Sequence, residues 1–254
     1  MFTLAIYDIL NIITSSVANG IFGLLGAHFC DYPKSIFILG ANGFGCWMGC
    51  SFTCVVLALY RISEMDKRLR IRWMFDGCCM HLVVLILYLD GIYGVFFQKP
   101  VIFRSEYMSW FFNPGLDLDP TFYINEIQAF NNIGMSVITT TLYAHLVYCM
   151  YQIGQTVNSE MFIKAQRSVI LQAAIICFFH TVASTTYVYM QYFYSPELLI
   201  IAVQLGWQIC NGSVSIVYLT LNRSIRDAVL ELVCPALIRK ANRVVVISET
   251  AFDN

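Results

Sequence analysis

Apolar residues dominate six long stretches of this chain, over residues 1–27, 35–60, 73–97, 122–153, 165–194 and 197–221. Polar residues gather in the short segments between them. A bilayer core requires about 20 mainly apolar residues per helical span. Each stretch meets that length, so the pattern predicts an all-α, polytopic transmembrane helical bundle with six spans. These spans and their connections fill residues 1–221, with no room for a separate soluble domain. After Leu221 the pattern turns amphipathic: Ile225, Val229 and Leu232 share a face from which Arg226, Asp227 and Glu231 are excluded. That periodicity predicts a short surface helix over about 223–233, within a tail spanning 222–254.

Composition agrees. The chain is 58% hydrophobic and 12% charged, about half the charged share of a soluble domain. The placement of charge carries more information than its sum. Arg61, Lys67, Arg68, Arg70, Arg72, Lys164, Arg167, Arg223, Arg226, Arg239, Lys240 and Arg243 fall on one set of connections, and Lys34, Lys99 and Arg104 on the alternate set. Basic loop residues stay on the cytoplasmic side, so the split of 12 to 3 predicts a cytoplasmic C-terminus. The same rule puts the start of the first span inside. Met1 to Ser16 contains no basic residue to hold it there. The expectation is therefore a chain lacking a first helix. A signal peptide is the poorer reading, because no charged leader is present and Asp8 interrupts the apolar run.

The candidate chemistry is sparse. Asp8 is the costliest residue of the first span, since a carboxylate at mid-helix opposes insertion by roughly 2.5–3.5 kcal/mol. Asn11, Thr14 and Ser15 follow on nearby turns and are placed to solvate it, with Asn211 of the last span as a partner from the far side. The expected roles are a polar switch or a packing group of the bundle interior. Arg61 stands at the inner mouth of the second span, as an anchor or a latch. Cys46, Cys50, Cys54 and Ala58 recur every fourth residue beside Gly45 and Gly49, a stripe of small residues that suits close helix packing. His81, Asp90, His145 and His180 show no metal-ligand spacing, and neither HExxH nor CxxC occurs. Cys234, just before Pro235, is a candidate for lipidation. Asn211-Gly-Ser and Asn222-Arg-Ser match the glycosylation pattern, but the deduced topology puts them in the bilayer and the cytoplasm. No catalytic pairing, phosphate loop or nucleic-acid motif is present, so the expectation is a non-enzyme without cofactor or metal.

Two local motifs and an ordered series resemble known receptors. Leu4-Ala-Ile-Tyr-Asp8 resembles the second helix of rhodopsin-type receptors, and Leu57-Ala-Leu-Tyr-Arg61 followed by Glu64 resembles the inner end of their third. Gly26-Ala-His-Phe-Cys30 with Pro33, Trp110-Phe-Phe-Asn-Pro114, Asn131-Asn132, Tyr187-Val-Tyr-Met-Gln191 and Tyr218-Leu-Thr-Leu-Asn-Arg-Ser-Ile-Arg226 complete a series similar to the nematode serpentine receptors of class T. The resemblance implies helices two to seven of a seven-helix G-protein-coupled chemoreceptor in the plasma membrane, binding an unknown small molecule in the outer half of the bundle and partnering a heterotrimeric G protein. It gives Asp8 the polar-core role, Arg61 the latch role, and residues near Tyr218 the gating turn. The 98–121 connection is expected over the pocket. Three positions depart from the family pattern: Val214 where a proline is usual, Tyr60 where many rhodopsin-type receptors have an acid, and Cys30 without a cysteine partner in the 98–121 loop. The competing readings are a small transporter or channel, for which repeats and broken helices are missing, and a non-signalling receptor remnant.

Overall fold

The computed structural model describes residues 2–66, 68–113, 119–156 and 160–221; within these, side chains of 120, 156, 160–169, 172, 173, 176, 213–215 and 217–221 lie outside that description. Helix α1 (Phe2–Ile12) passes through a π-helical turn (Ile13–Ala18) into α2 (Asn19–Leu24). Helices α3 (Pro33–Met65), α4 (Gly77–Phe97), α5 (Glu126–Thr156), α6 (Glu160–Tyr192) and α7 (Glu197–Leu221) follow. Four stretches among the described residues are long and apolar enough to cross a membrane: Phe2–Leu24, Pro33–Met65, Gly77–Phe97 and Glu126–Gln155. The tail beyond Leu221, with its expected surface helix and Cys234, lies outside the described residues.

The first helical stretch is built inside out. Phe2, Ile9, Ile13, Val17, Ile21 and Leu24 are exposed, while Asp8, Asn11, Thr14, Ser15 and Asn19 are buried. In water this arrangement costs free energy on both faces. In hydrocarbon it is the stable one, because apolar side chains lose nothing against lipid and polar ones need interior partners. Helix α5 follows the same rule: Phe130, Ile133 and Val137 face outward, and Gln128, Asn131, Asn132, Ser136 and Thr139 face inward.

Small residues set the helix spacing. A Cβ on Gly94 of α4 would lie 2.7 Å from the Gly45 Cα of α3, so the two backbones touch there. The Tyr7 ring of α1 fills a notch between Gly49 of α3 and Gly91 of α4, and its hydroxyl donates to the Leu87 carbonyl at 2.7 Å. The cysteine stripe of α3 faces the interior: Cys46, Cys50, Cys54 and Ala58 are all buried. Near the far end of α3, Ala58 and Ile62 form a cluster with Tyr143, Leu146 and Met150 of α5.

The segment expected as a loop after α4 contains two short strands, β1 (Ile102–Arg104) and β2 (Ser109–Phe111). They pair antiparallel with Ile102 opposite Phe111, Phe103 opposite Trp110 and Arg104 opposite Ser109. A lone two-stranded hairpin is marginal by itself. This one is held by Phe103 and Trp110, both with 0% exposure, which pack on Phe22 of α2 with ring centroids 5.6 and 6.1 Å away. Three-residue strands are too short for alternation to show in the sequence, so the all-α expectation missed them.

Candidate functional site

The hairpin borders a partly open cavity of about 440 Å³. Its walls come from β2 and the residue after it (Phe111, Phe112), from the approach to α5 (Tyr123, Ile124), from the end of α6 (Tyr187, Met190, Gln191) and from Ile200 of α7, with Arg104 at the hairpin. The volume suits a small organic molecule. Aromatic rings dominate, and Arg104 is the charged side chain among the lining residues. Its guanidinium lies over the Tyr107 ring, 5.0 Å from the centroid, and pairs with Glu106. Asn125 and Gln191 brace the floor: the Asn125 backbone N–H donates to Gln191 Oε1 at 2.7 Å, and the Gln191 amide donates to Gln128.

Buried hydrogen bonds link this cavity to the bundle interior. The Tyr187 hydroxyl donates to the Trp110 carbonyl at 3.3 Å, and the Trp110 backbone N–H donates to Gln204 Oε1 at 3.3 Å. The Gln204 amide then donates to the Ser15 carbonyl at 2.9 Å, and Gln208 donates to the same oxygen at 2.6 Å. Ser15 lies in the π-helical turn, and such turns occur often at functional sites. Tyr187 also meets Trp207 of α7 edge-on, with centroids 6.2 Å apart.

A second polar junction joins α3, α5 and α6. Trp47 Nε1 donates to Asn132 Oδ1 at 2.8 Å, and Asn132 Nδ2 donates to the Ser184 carbonyl at 3.3 Å. Trp47 stacks on His180 at 4.9 Å and 7°, while Ser51 Oγ lies 3.1 Å from His180 Nε2. Ser15 and His180 stood among the sequence-derived candidates, but the partners that these networks give them did not. The Asn131-Asn132 pair in an apolar span was the available signal.

Asp8 is 3% exposed and accepts a hydrogen bond from the Cys50 thiol at 3.6 Å. Cys210 of α7 is near enough to interact with both groups electrostatically. Asn11 and Asn211 are buried as well, but no hydrogen bond joins either to Asp8 among the described residues. Thr14 turns away too: it accepts from Asn42 Nδ2 at 3.1 Å. The physical reason is the packing of α1 on α3, which gives Asp8 a thiol for its neighbour. Arg61 is half-buried in the last turns of α3, beside Ile62 of the α3–α5 cluster. Tyr218 lies within α7 with its side chain outside the description. His81 is exposed on α4, and Asp90 is partly buried with one carboxylate oxygen lacking a protein partner.

A bundle of long apolar helices with an aromatic cavity beside a hairpin defines the class, a multi-pass helical membrane protein. The chain belongs to the serpentine type 7TM GPCR chemoreceptor Srt family, whose model matches residues 1–242. It is 25% identical over 246 residues to serpentine receptor class T-55 of Caenorhabditis elegans, covering 96% of this chain and 66% of that protein. The chain thus spans just under two thirds of the relative's length. No solved structure matches it. The family is one of chemoreceptors.

Proposed function

We propose that this protein is a chemosensory receptor of the plasma membrane that binds a small molecule in the hairpin-bordered cavity and activates a heterotrimeric G protein at the opposite, cytoplasmic end. On this reading its six long helical stretches correspond to helices two to seven of a seven-helix receptor, with the C-terminus inside. The observation that carries the reading is Tyr187. It lines the cavity and also reaches Trp110 and Trp207. A ligand that shifts Tyr187 alters the Trp110–Gln204–Ser15 connection between the hairpin, α7 and the π turn. A ligand favours one arrangement only through differential contacts of this kind. Asp8 serves as the polar-core group, Arg61 as the inner latch and the residues near Tyr218 as the gating turn.

The test is nucleotide exchange on added G protein in membranes carrying the receptor, against a panel of small aromatic and aliphatic odorants. A responding compound should lose at least ~10-fold in potency, about 1.4 kcal/mol, in Tyr187→Ala and Gln191→Leu at equal surface expression. Arg61→Ala should abolish exchange. Unchanged responses in both cavity variants would remove the cavity from the reading, and full signalling by Arg61→Ala would remove the latch.

A further inference from the structure

At the end of the bundle away from the hairpin, three metal-ligating side chains converge. Asp66 follows the last residue of α3, while His145 and Cys149 stand one turn apart on α5. Their ligand atoms all lie within 4.8 Å of one another. His145 Nε2 is 3.7 Å from Asp66 Oδ2 and 3.5 Å from Cys149 Sγ. We propose that Asp66, His145 and Cys149 form a zinc-binding site that ties the end of α3 to α5.

The distances argue for this use. An N···O separation of 3.7 Å exceeds the ~2.7–3.2 Å of an N–H···O hydrogen bond, so Asp66 and a protonated His145 form an ion pair without a hydrogen bond between them. Around zinc, with Zn–N and Zn–O about 2.1 Å and Zn–S about 2.3 Å, tetrahedral angles put N···S edges at about 3.6 Å and N···O edges at about 3.4 Å. The two His145 spacings need only small adjustment to reach these edges, and the Asp66–Cys149 pair, within 4.8 Å, closes to a similar O···S edge. The carboxylate is also aimed. Asp66 Oδ1 accepts from the Arg68 backbone N–H at 3.0 Å, which leaves Oδ2 for a metal, the outer support that metal ligands usually have.

The donor set selects the cation. Thiolate, imidazole and one carboxylate suit zinc and disfavour magnesium or calcium, which take oxygen ligands. Three protein ligands leave the fourth position for water. Cys149 is buried, but the His145 side chain is 41% exposed and offers an entry route. Arg68 acts electrostatically on Cys149 and opposes a cation; two anionic ligands outweigh it. On binding, the Cys149 thiol loses its proton to solvent and the Zn–S bond forms. Bound there, zinc crosslinks α3 to α5 close to Arg61, and it resists any separation of those helix ends. The site stands on geometry alone and does not rest on the receptor reading.

Co²⁺ provides the spectroscopic probe. Titrated into the reduced full chain in detergent micelles, it should give a sulfur-to-cobalt charge-transfer band that saturates at one equivalent and is displaced by Zn²⁺. Cys149→Ser should remove the band. His145→Ala should weaken binding beyond the ~10–100-fold typical of losing an outer-shell partner. Zn²⁺ should raise the thermal midpoint of the native chain and leave that of Cys149→Ser unmoved, with size-exclusion profiles reporting that both are folded. A band of equal strength in Cys149→Ser, arising from another of the cysteines, overturns the proposal. So does the absence of any band in the native protein.

Discussion

Replacing Trp47 with Phe takes one donor out of the middle of the bundle. Trp47 Nε1 donates to Asn132 Oδ1 at 2.8 Å, and Asn132 has 0% exposure, so the abandoned acceptor cannot turn to solvent. In a soluble protein an orphaned buried acceptor costs about 1–3 kcal/mol. Within a bilayer the reference state also finds partners, and interhelical hydrogen bonds measured by double-mutant cycles average about 0.6 kcal/mol, with a maximum near about 1.7. The complete burial of this pair argues for the upper part of that range. Phe keeps a ring opposite His180, where Trp47 stacks at 4.9 Å, so only part of the ~0.5–1.5 kcal/mol of an aromatic pair is lost as well. The expected total is about 1–3 kcal/mol, of which about 1–1.7 is coupling to Asn132. The assay is reversible unfolding in mixed micelles of Trp47→Phe, Asn132→Leu and the double variant. The lost Asn132–Ser184 bond occurs on both sides of the cycle and cancels. A coupling energy within ~0.3 kcal/mol of zero, the scatter of additive sites, would refute the reasoning.

Gly91→Ala drives a Cβ to 2.6 Å from the Tyr7 hydroxyl, and overpacking of this kind costs about 1–3 kcal/mol; the thermal midpoint in detergent should fall. Tyr7→Phe should recover part of that loss, because the nearest clashing atom is gone while ring atoms remain at 3.0 and 3.1 Å. Equal midpoints for Gly91→Ala and the native chain would show that the notch is not filled by Tyr7. The Ser15 carbonyl accepts from both Gln204 and Gln208, so Gln208→Leu alone leaves it satisfied and should cost under about 1 kcal/mol. The Gln204→Leu/Gln208→Leu pair should cost more than the sum of the single changes, measured by the same unfolding assay; strict additivity would mean the two amides do not share that oxygen.

Much of the architecture was legible because lipid imposes simple demands. Apolar runs of this length become helices, since only helices and closed barrels satisfy the backbone in hydrocarbon and a barrel strand needs only about 9–11 residues. Polar residues at helical spacing, such as Asp8, Asn11 and Ser15, must face inward, and they do. The four-residue spacing of Cys46, Cys50 and Cys54 marked an inward-facing stripe for the same reason. The hairpin was not legible, because Trp110-Phe111-Phe112 reads equally as an aromatic loop and the strands are three residues each. The partner of Asp8 was not legible either. Helical periodicity gives the face a residue occupies, but says nothing of which helix lies opposite.

The sequence by itself determined the medium, the helical class and the family, because these rest on composition, period and ordered motifs along one dimension. Only the tertiary structure decided which residues meet. It brought Tyr187 to Trp110 and Trp207, Gln204 and Gln208 to one carbonyl of the π turn, and Asp66 to His145 and Cys149. Such contacts depend on helix crossings set by close approaches like Gly45 on Gly94 and by Tyr7 in its notch. Those crossings follow from the joint fit of many side chains, which a linear pattern does not encode in readable form.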